Sequence, residues 1–192
     1  MIREVRPEDT GSITAIYNEY VAHSVITFET EPVREEEMRS RITGIVSHFP
    51  YFVYETEGKI AGYCYAHAWK ERAAYRHTLE TTVYLASEYQ GKGIGKQLMQ
   101  TLINECRHRG YHALIACITE GNEASNSLHQ KLGFKQVSHF EKVGLKFDRW
   151  LDVFDYELIL TYIIHSGFIS GYQNRYGDNL KPPTNVYHRM TA

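Results

Sequence analysis

The sequence predicts a mixed α/β (α+β layered) domain, and three observations lead to it. Apolar residues follow the 3.6-residue period of a half-buried helix in some stretches and strand-like alternation or continuity in others. The order of these stretches, β-α-α-β-β-β-α-β-α-β-β, is neither a repeat array nor a strictly alternating doubly wound sheet, so helices and sheet form layers. The 192 residues suffice for one core without disulfides or a structural metal, which makes a single compact domain the expectation.

Residues 2–5 alternate apolar and polar as a short strand. Pro7 suits a helix start, where its missing N–H is not needed. Over residues 8–23, Ile13, Ile16, Tyr17, Tyr20 and Val21 fall on one helical face. Pro32 keeps 24–33 a loop, and 35–48 is a second amphipathic helix with Met38, Ile42, Ile45 and Val46 inward. Strands 51–56 and 59–68 flank a hairpin turn at Glu57 and Gly58. The polar stretch 69–76 is a loop, and 77–87, rich in Thr, Val, Tyr and Leu, is a strand. A glycine-rich segment then enters a helix that Gly110 ends, with Arg107, His108 and Arg109 complementing the helix dipole in its last turn. The continuous apolar run 111–118 reads as a strand buried on both faces, and 122–132 as a short helix ended by Gly133. Residues 134–143 and 146–160 read as two strands around Gly144, with a polar interruption at Phe147, Asp148 and Arg149. From Thr161 the periodicity fades. The expected organisation is therefore a domain at 1–160 and an irregular C-terminal extension at 161–192.

Composition narrows the function classes. With 21 basic and 23 acidic residues the formal charge is −2, which gives no footprint for nucleic acid or an anionic membrane. No apolar run approaches the ~20 residues of a membrane span, and the first residues lack a signal peptide's apolar segment. Cys64, Cys106 and Cys117 are odd in number and sit in apolar surroundings, which fits reduced thiols in the cytoplasm. Ten histidines include no H-E-x-x-H and the cysteines no C-x-x-C, so no metal is expected; His108, His112 and His139 read as surface or packing residues.

The segment Gln90-Gly91-Lys92-Gly93-Ile94-Gly95-Lys96 lies between a strand and an amphipathic helix. Its glycines permit positive φ, so successive N–H groups can converge on one anion at a helix N-terminus. A Walker loop fails here because only three residues separate Gly91 from Gly95, and a Rossmann fingerprint fails because its last glycine would be Lys96. The pattern that fits is Q/R-x-x-G-x-G/A.

That pattern resembles the pyrophosphate loop of the GNAT superfamily of acyl-CoA-dependent N-acyltransferases. The resemblance spans roughly residues 2–160. The run from Tyr75 to Leu85, the stretch from Asn122 to Phe134, and Val143-Gly144 with Lys146, Arg149, Trp150 and Asp152 are similar to the phosphinothricin and methionine-sulfoximine N-acetyltransferase branch. It implies a central mixed, mostly antiparallel sheet of about seven strands flanked by about four helices, acetyl-CoA as co-substrate, and a homodimer. It also implies transfer of acetyl to the α-amine of a small amino-acid-like substrate. Val83, Tyr84 and Leu85 would meet the pantetheine arm, Gln90, Gly91, Lys92, Gly93, Ile94, Gly95 and Lys96 the pyrophosphate, and Asn122 and Ser125 the lower arm.

Direct transfer needs a neutral amine, and Glu80 is the candidate base, directly or through a water. His129 is either the acid for the leaving thiolate or a packing residue beneath the arm, and Tyr84 is a second acid candidate. Arg76, beside His77, offers a planar cation to a substrate carboxylate; Phe28 and Tyr75 supply apolar walls. Trp69 and Trp150 read as core or dimer contacts. Ala73 and Ala74 depart from the Asp-Gly often found there in methionine-sulfoximine enzymes. Two rival readings share the fold: a CoA- or amino-acid-binding module without turnover, and a protein N-acetyltransferase.

Overall fold

We describe residues 1–160 of a computed structural model of the chain; the expected extension at 161–192 lies outside the described residues. The strands are β1 (Ile2–Glu4), β2 (Tyr51–Thr56), β3 (Lys59–Ala68), β4 (Thr78–Leu85), β5 (Ala113–Thr119), β6 (Lys135–Gln136), β7 (Phe140–Lys146) and β8 (Arg149–Ile159). The helices are α1 (Thr10–His23), α2 (Glu35–Val46), α3 (Ile94–His108) and α4 (Glu123–Lys131), with single 3-10 turns at Pro7–Asp9, Ala73–Tyr75 and Ser87–Tyr89. One eight-stranded sheet runs β1-β2-β3-β4-β5-β8-β6, with β7 also on β8. Among the described residues only the β4–β5 pair is parallel.

Two apolar layers cover the sheet. On one face α3 buries Leu98, Met99, Leu102, Ile103 and Cys106 against Leu79, Leu114, Ala116 and Ile118. On the other, Ile13 and Ile16 of α1 and Met38 and Ile42 of α2 pack on Tyr51, Val53 and Tyr63. Each fully buried aliphatic side chain contributes about 1.5–3 kcal/mol relative to exposure.

Three expectations change. The hairpin between the last two long strands turns at Phe147 and Asp148, both at positive φ, with Lys146 paired to Arg149. Positive φ at both central residues is the two-residue turn that matches strand twist. Gly144 lies inside β7 instead, because the Phe28 ring sits where its Cβ would be, 2.3 Å away. The expected strand 134–143 is split into β6 and the start of β7. Between them the amides of Val137 and Ser138 both bond the Asp155 carbonyl, and a register shift follows in which Lys142 (φ +53) donates its amide to Asp152. The eighth strand comes from this split. Finally, the expected strand 111–118 begins at Ala113, and one of its positions, Cys117, is exposed.

Candidate active site

The glycine segment forms a backbone cradle. Gly91 (φ +73) and Gly93 (φ +78) are left-handed, and a Cβ on either would meet nothing within 4 Å, so their main chain faces open space. The first bond of α3 runs from the Gln97 amide to the Gly93 carbonyl. The amides of Ile94, Gly95 and Lys96 therefore precede the helical ladder and carry the positive end of the helix dipole. Gln90 is held from outside the loop: its Nε2 donates to the Tyr20 hydroxyl at 3.0 Å, and that hydroxyl donates to the Leu85 carbonyl at 2.6 Å. Lys92 reaches over the Tyr89 ring.

Next to this cradle the sheet forks. β4 and β5 pair only at Thr78, Leu79 and Glu80, although β4 continues to Leu85 and β5 to Thr119. The Thr81 hydroxyl donates across the vertex to the Ile115 carbonyl at 3.2 Å. On its other side β4 stays paired with β3, and the Trp69 amide to the Thr78 carbonyl and the Ala86 amide to the Ala61 carbonyl fix which residues face β3. Antiparallel alternation then turns the main-chain groups of Glu80, Thr82 and Tyr84 to β3 and those of Thr81, Val83 and Leu85 toward the fork. Tyr84 thus differs from its neighbours. Its ring packs edge-on against Tyr17 and Tyr20 on the α1 side, where burial raises its phenol well above the usual value.

Glu80 stands at the vertex, 27% exposed, with its Oε1 3.8 Å from His67 Nε2 of β3. Cys117 of β5 donates its thiol to Asp155 of β8 at 3.1 Å and lies within hydrogen-bonding reach of Glu80 as well. Burial raises the Glu80 carboxyl above the ordinary carboxylate range; His67 and the thiol pull it down and Asp155 pushes it up. A half-buried carboxylate with a raised value is suited to accept a proton near neutral pH.

On α4, Asn122 caps the helix by accepting the Ser125 amide at 3.2 Å. His129 is buried edge-on to Phe134, and its Nδ1 lies 2.9 Å from the Ser125 carbonyl. A carbonyl only accepts, so Nδ1 carries the hydrogen and the neutral ring presents an unprotonated Nε2. Burial lowers its imidazole below the usual value. The remaining candidates fall into two groups. Phe28 rests on Gly144, on a loop that β7 also holds through Lys146 Nζ donating to the Thr27 carbonyl at 2.8 Å. Tyr75, edge-on to Trp69 and beneath Lys70, precedes Arg76, whose Nε donates to His77 Nε2 at 3.1 Å at the start of β4.

The sequence does not single out five contributors, His67, Cys117, Asp155, Tyr20 and Asn126; Cys117 and Asp155 meet Glu80 only through the β4–β5–β8 register. His67 is found only by aligning β3 on β4, where it pairs with Glu80. Tyr20 lies on the apolar stripe of its helix, and nothing local tells that its hydroxyl serves Gln90. Asn126 carries a buried Oδ1 with no hydrogen-bond partner among the described residues, one position past Ser125.

Residues 2–154 match the acetyltransferase (GNAT) domain. The chain belongs to the GNAT acetyltransferase family. This acetyltransferase is similar to the phosphinothricin N-acetyltransferase of Alcaligenes faecalis, with 42% identity over 153 residues, 79% of this chain and 78% of that protein. It is 35% identical over 156 residues to the L-methionine sulfoximine/L-methionine sulfone acetyltransferase of Salmonella typhimurium, covering 79% and 90%. A GNAT superfamily phosphinothricin acetyltransferase from Sinorhizobium meliloti, solved in complex with acetyl-CoA, superposes with a TM-score of 0.81 at 38% identity, covering 83% of this chain and 88% of that one. The forked sheet and the glycine cradle of this acetyltransferase lie within the matched residues.

Proposed function

We propose that this N-acetyltransferase transfers acetyl from acetyl-CoA directly to the α-amine of a small amino-acid-like acceptor of the phosphinothricin, methionine sulfoximine or methionine sulfone type, with Glu80 as general base. The supporting observation is the half-buried carboxylate at the vertex of a fork whose open edge carries unpaired main-chain groups. Relatives with these named activities support the acceptor class.

The residues present fit acetyl-CoA. The amides from Gly91 to Lys96 would hold the pyrophosphate, with Gln90, Lys92 and Lys96 at the rim. The N–H and C=O of Val83 and the N–H of Leu85 would bind the pantetheine amides and polarise the thioester carbonyl. The unsatisfied Asn126 Oδ1 is an acceptor for an amide N–H, and Asn122 and Ser125 shape that helix start. Bound acetyl-CoA supplies the acetyl group as an activated thioester.

Glu80 removes the ammonium proton, itself or through a water, a role that typically contributes 10²–10⁴-fold. The C–N bond would then form at the thioester carbonyl as its C–S bond breaks, and the second amine proton would pass to the departing thiolate. Holding the two reactants in line adds the larger part, on the order of 7–11 kcal/mol. We assign His129 to packing and to accepting a hydrogen bond at Nε2, since its tautomer and burial disfavour proton donation. Arg76 uses only Nε toward His77, so the edge formed by its two terminal nitrogens is the one we propose for the acceptor's carboxylate. Phe28 and Tyr75 wall the acceptor. Exposed Val143, Leu145, Phe147 and Trp150 on the β7–β8 hairpin support a homodimer, and three unpaired cysteines support a reducing, cytoplasmic setting.

The test is thiol release from acetyl-CoA against a panel of amino acids, glutamine-synthetase inhibitors and a lysine peptide, with Glu80→Gln run beside the parent. We expect a small α-amino acid analogue to be the best acceptor. Glu80→Gln should lower kcat at least about tenfold, within the range for a positioned base, while CoA affinity holds. Turnover of Glu80→Gln equal to the parent across the pH range removes Glu80 from the mechanism, and a preference for the peptide favours a protein acetyltransferase.

A further inference from the structure

The cluster behind Glu80 contains an arrangement that the reaction as described does not use. Register places the residues: His67 pairs with Glu80, Glu80 with Ile115, and Cys117, two residues on, with Asp155. Two carboxylates from β4 and β8 therefore approach one thiol on the strand between them. The thiol has a single hydrogen, so it satisfies one carboxylate at a time. It points to Asp155 Oδ1 at 3.1 Å. Glu80 is left facing His67 Nε2 at 3.8 Å and the negative charge of Asp155.

We propose that Asp155 is a positioning residue that, by holding the Cys117 proton away from Glu80 and adding its own charge, sets the pH range over which Glu80 takes up the amine proton. It acts through Cys117 and through space and touches no substrate. The proposal rests on Glu80 being the base.

The surroundings of Glu80 allow the direction to be worked out. From β3 it meets His67, and Tyr65, whose phenol feels Glu80 and, from beyond, Arg41 and Glu29. From β5 it meets Cys117 and from β8 Asp155. Asp155 raises the Glu80 carboxyl by like charge, and Cys117 lowers it when its hydrogen turns to Glu80. The thiol itself sits above its usual value, first through partial desolvation of its sulfur and then through the bond to Asp155, although the residue is solvent-accessible. It stays a proton donor across the working range and does not become a competing nucleophile. Neutralising Asp155 removes a repulsion and frees the thiol hydrogen for Glu80. Both changes make Glu80 a weaker base that ionises at lower pH.

The experiment is the pH profile of kcat/KM for Asp155→Asn, taken as a ratio to the parent so that the amine's own titration cancels. Asn keeps the shape but offers only an uncharged, weaker acceptor, so the thiol hydrogen then favours the Glu80 carboxylate. We expect the acid limb to move down by about 0.5–1 pH unit, with CoA affinity unchanged. Because the thiol hydrogen is already turned to Asp155, Cys117→Ala by itself should leave the limb close to the parent's, and Asp155→Asn in that background should move it less than in the parent. An equal shift with and without the thiol overturns the part of the proposal that runs through Cys117. Asp155→Ser serves as the second charge-free variant if Asn disturbs folding. An acid limb that stays put or rises in both Asp155 variants overturns the proposal. Glu80→Gln separates the two failures: a limb that survives in it defeats the base assignment, whereas a limb lost there but unmoved in Asp155→Asn defeats only the role of Asp155.

Discussion

The two sides of β4 present different kinds of groups to the partners we propose for them. Toward the fork, the groups we propose for recognition are main-chain ones: the N–H and C=O of Val83, the N–H of Leu85, left-handed Gly91 and Gly93, and the first amides of α3. Above the vertex, toward the β3–β8 cluster, they are side chains drawn from four strands, with Glu80, His67, Cys117 and Asp155 each held by register rather than by a local motif. We call these the donor side and the acceptor side. A main-chain site tolerates exchange of most side chains but fails where φ demands glycine. A side-chain site keeps its backbone under substitution and changes through charge and fit.

That contrast is tested hardest at the cradle. Gly93→Ala forces a Cβ into a left-handed conformation at φ +78, which costs about 1–2 kcal/mol if the backbone holds and otherwise turns an amide away from the anion. We expect CoA affinity by calorimetry to fall about tenfold or more, with the acceptor's KM little changed once CoA is saturating. Gly95→Ala is the matched control. Its Cβ would make ordinary 3.5 Å contacts with Leu85 and Leu128, so the loss should be small. Equal losses in both variants would mean that crowding rather than φ governs the donor side.

On the acceptor side the corresponding glycine is Gly144, and the expected effect is smaller. A Cβ there would lie 2.3 Å from the Phe28 ring, which is 39% exposed and carried on a loop, so the ring moves rather than the strand. Stability should drop by no more than about 1–1.5 kcal/mol, and the acceptor's KM should rise several-fold while CoA affinity stays. Unchanged acceptor KM would remove Phe28 from the acceptor wall.

The same division explains what the sequence made legible. The backbone of the proposed donor side is legible because its parts are contiguous: a strand, six loop residues and a helix start, each with a conformational reason. The resemblance to a known family added the acceptor class and singled out Glu80. The acceptor side's other members were not readable, because His67, Cys117 and Asp155 come together only through the β3–β4–β5–β8 register, which no short-range pattern encodes. Helix positions agree where periodicity is strong, but Val46, the last residue of α2, is exposed rather than inward. The late strands do not, because a glycine between two apolar runs reads as a turn, whereas Gly144 marks a close approach of Phe28 and the turn itself uses Phe147 and Asp148 at positive φ.

The smallest expected effect concerns stability, and its sign separates the acceptor side from an ordinary structural ion pair. The Glu80 carboxyl is raised by burial above its unfolded value. Between the unfolded and folded values the native state binds more protons, so stability falls as pH rises from about 4.3 through the folded value, and the deficit persists above it. Asp9 behaves oppositely. Burial works to raise it, but hydrogen bonds from Arg3 and the Arg6 amide prevail, so its contribution is present above the unfolded value and lost as pH falls. Glu80→Gln replaces the charged form by a neutral one of the same shape. Its melting temperature should exceed the parent's at pH 7 and converge with it near pH 4, while under the proposed function its turnover falls. A melting temperature at or below the parent's throughout would mean that the Glu80 charge is compensated in the folded state, and that the acceptor side carries no stability penalty for its base.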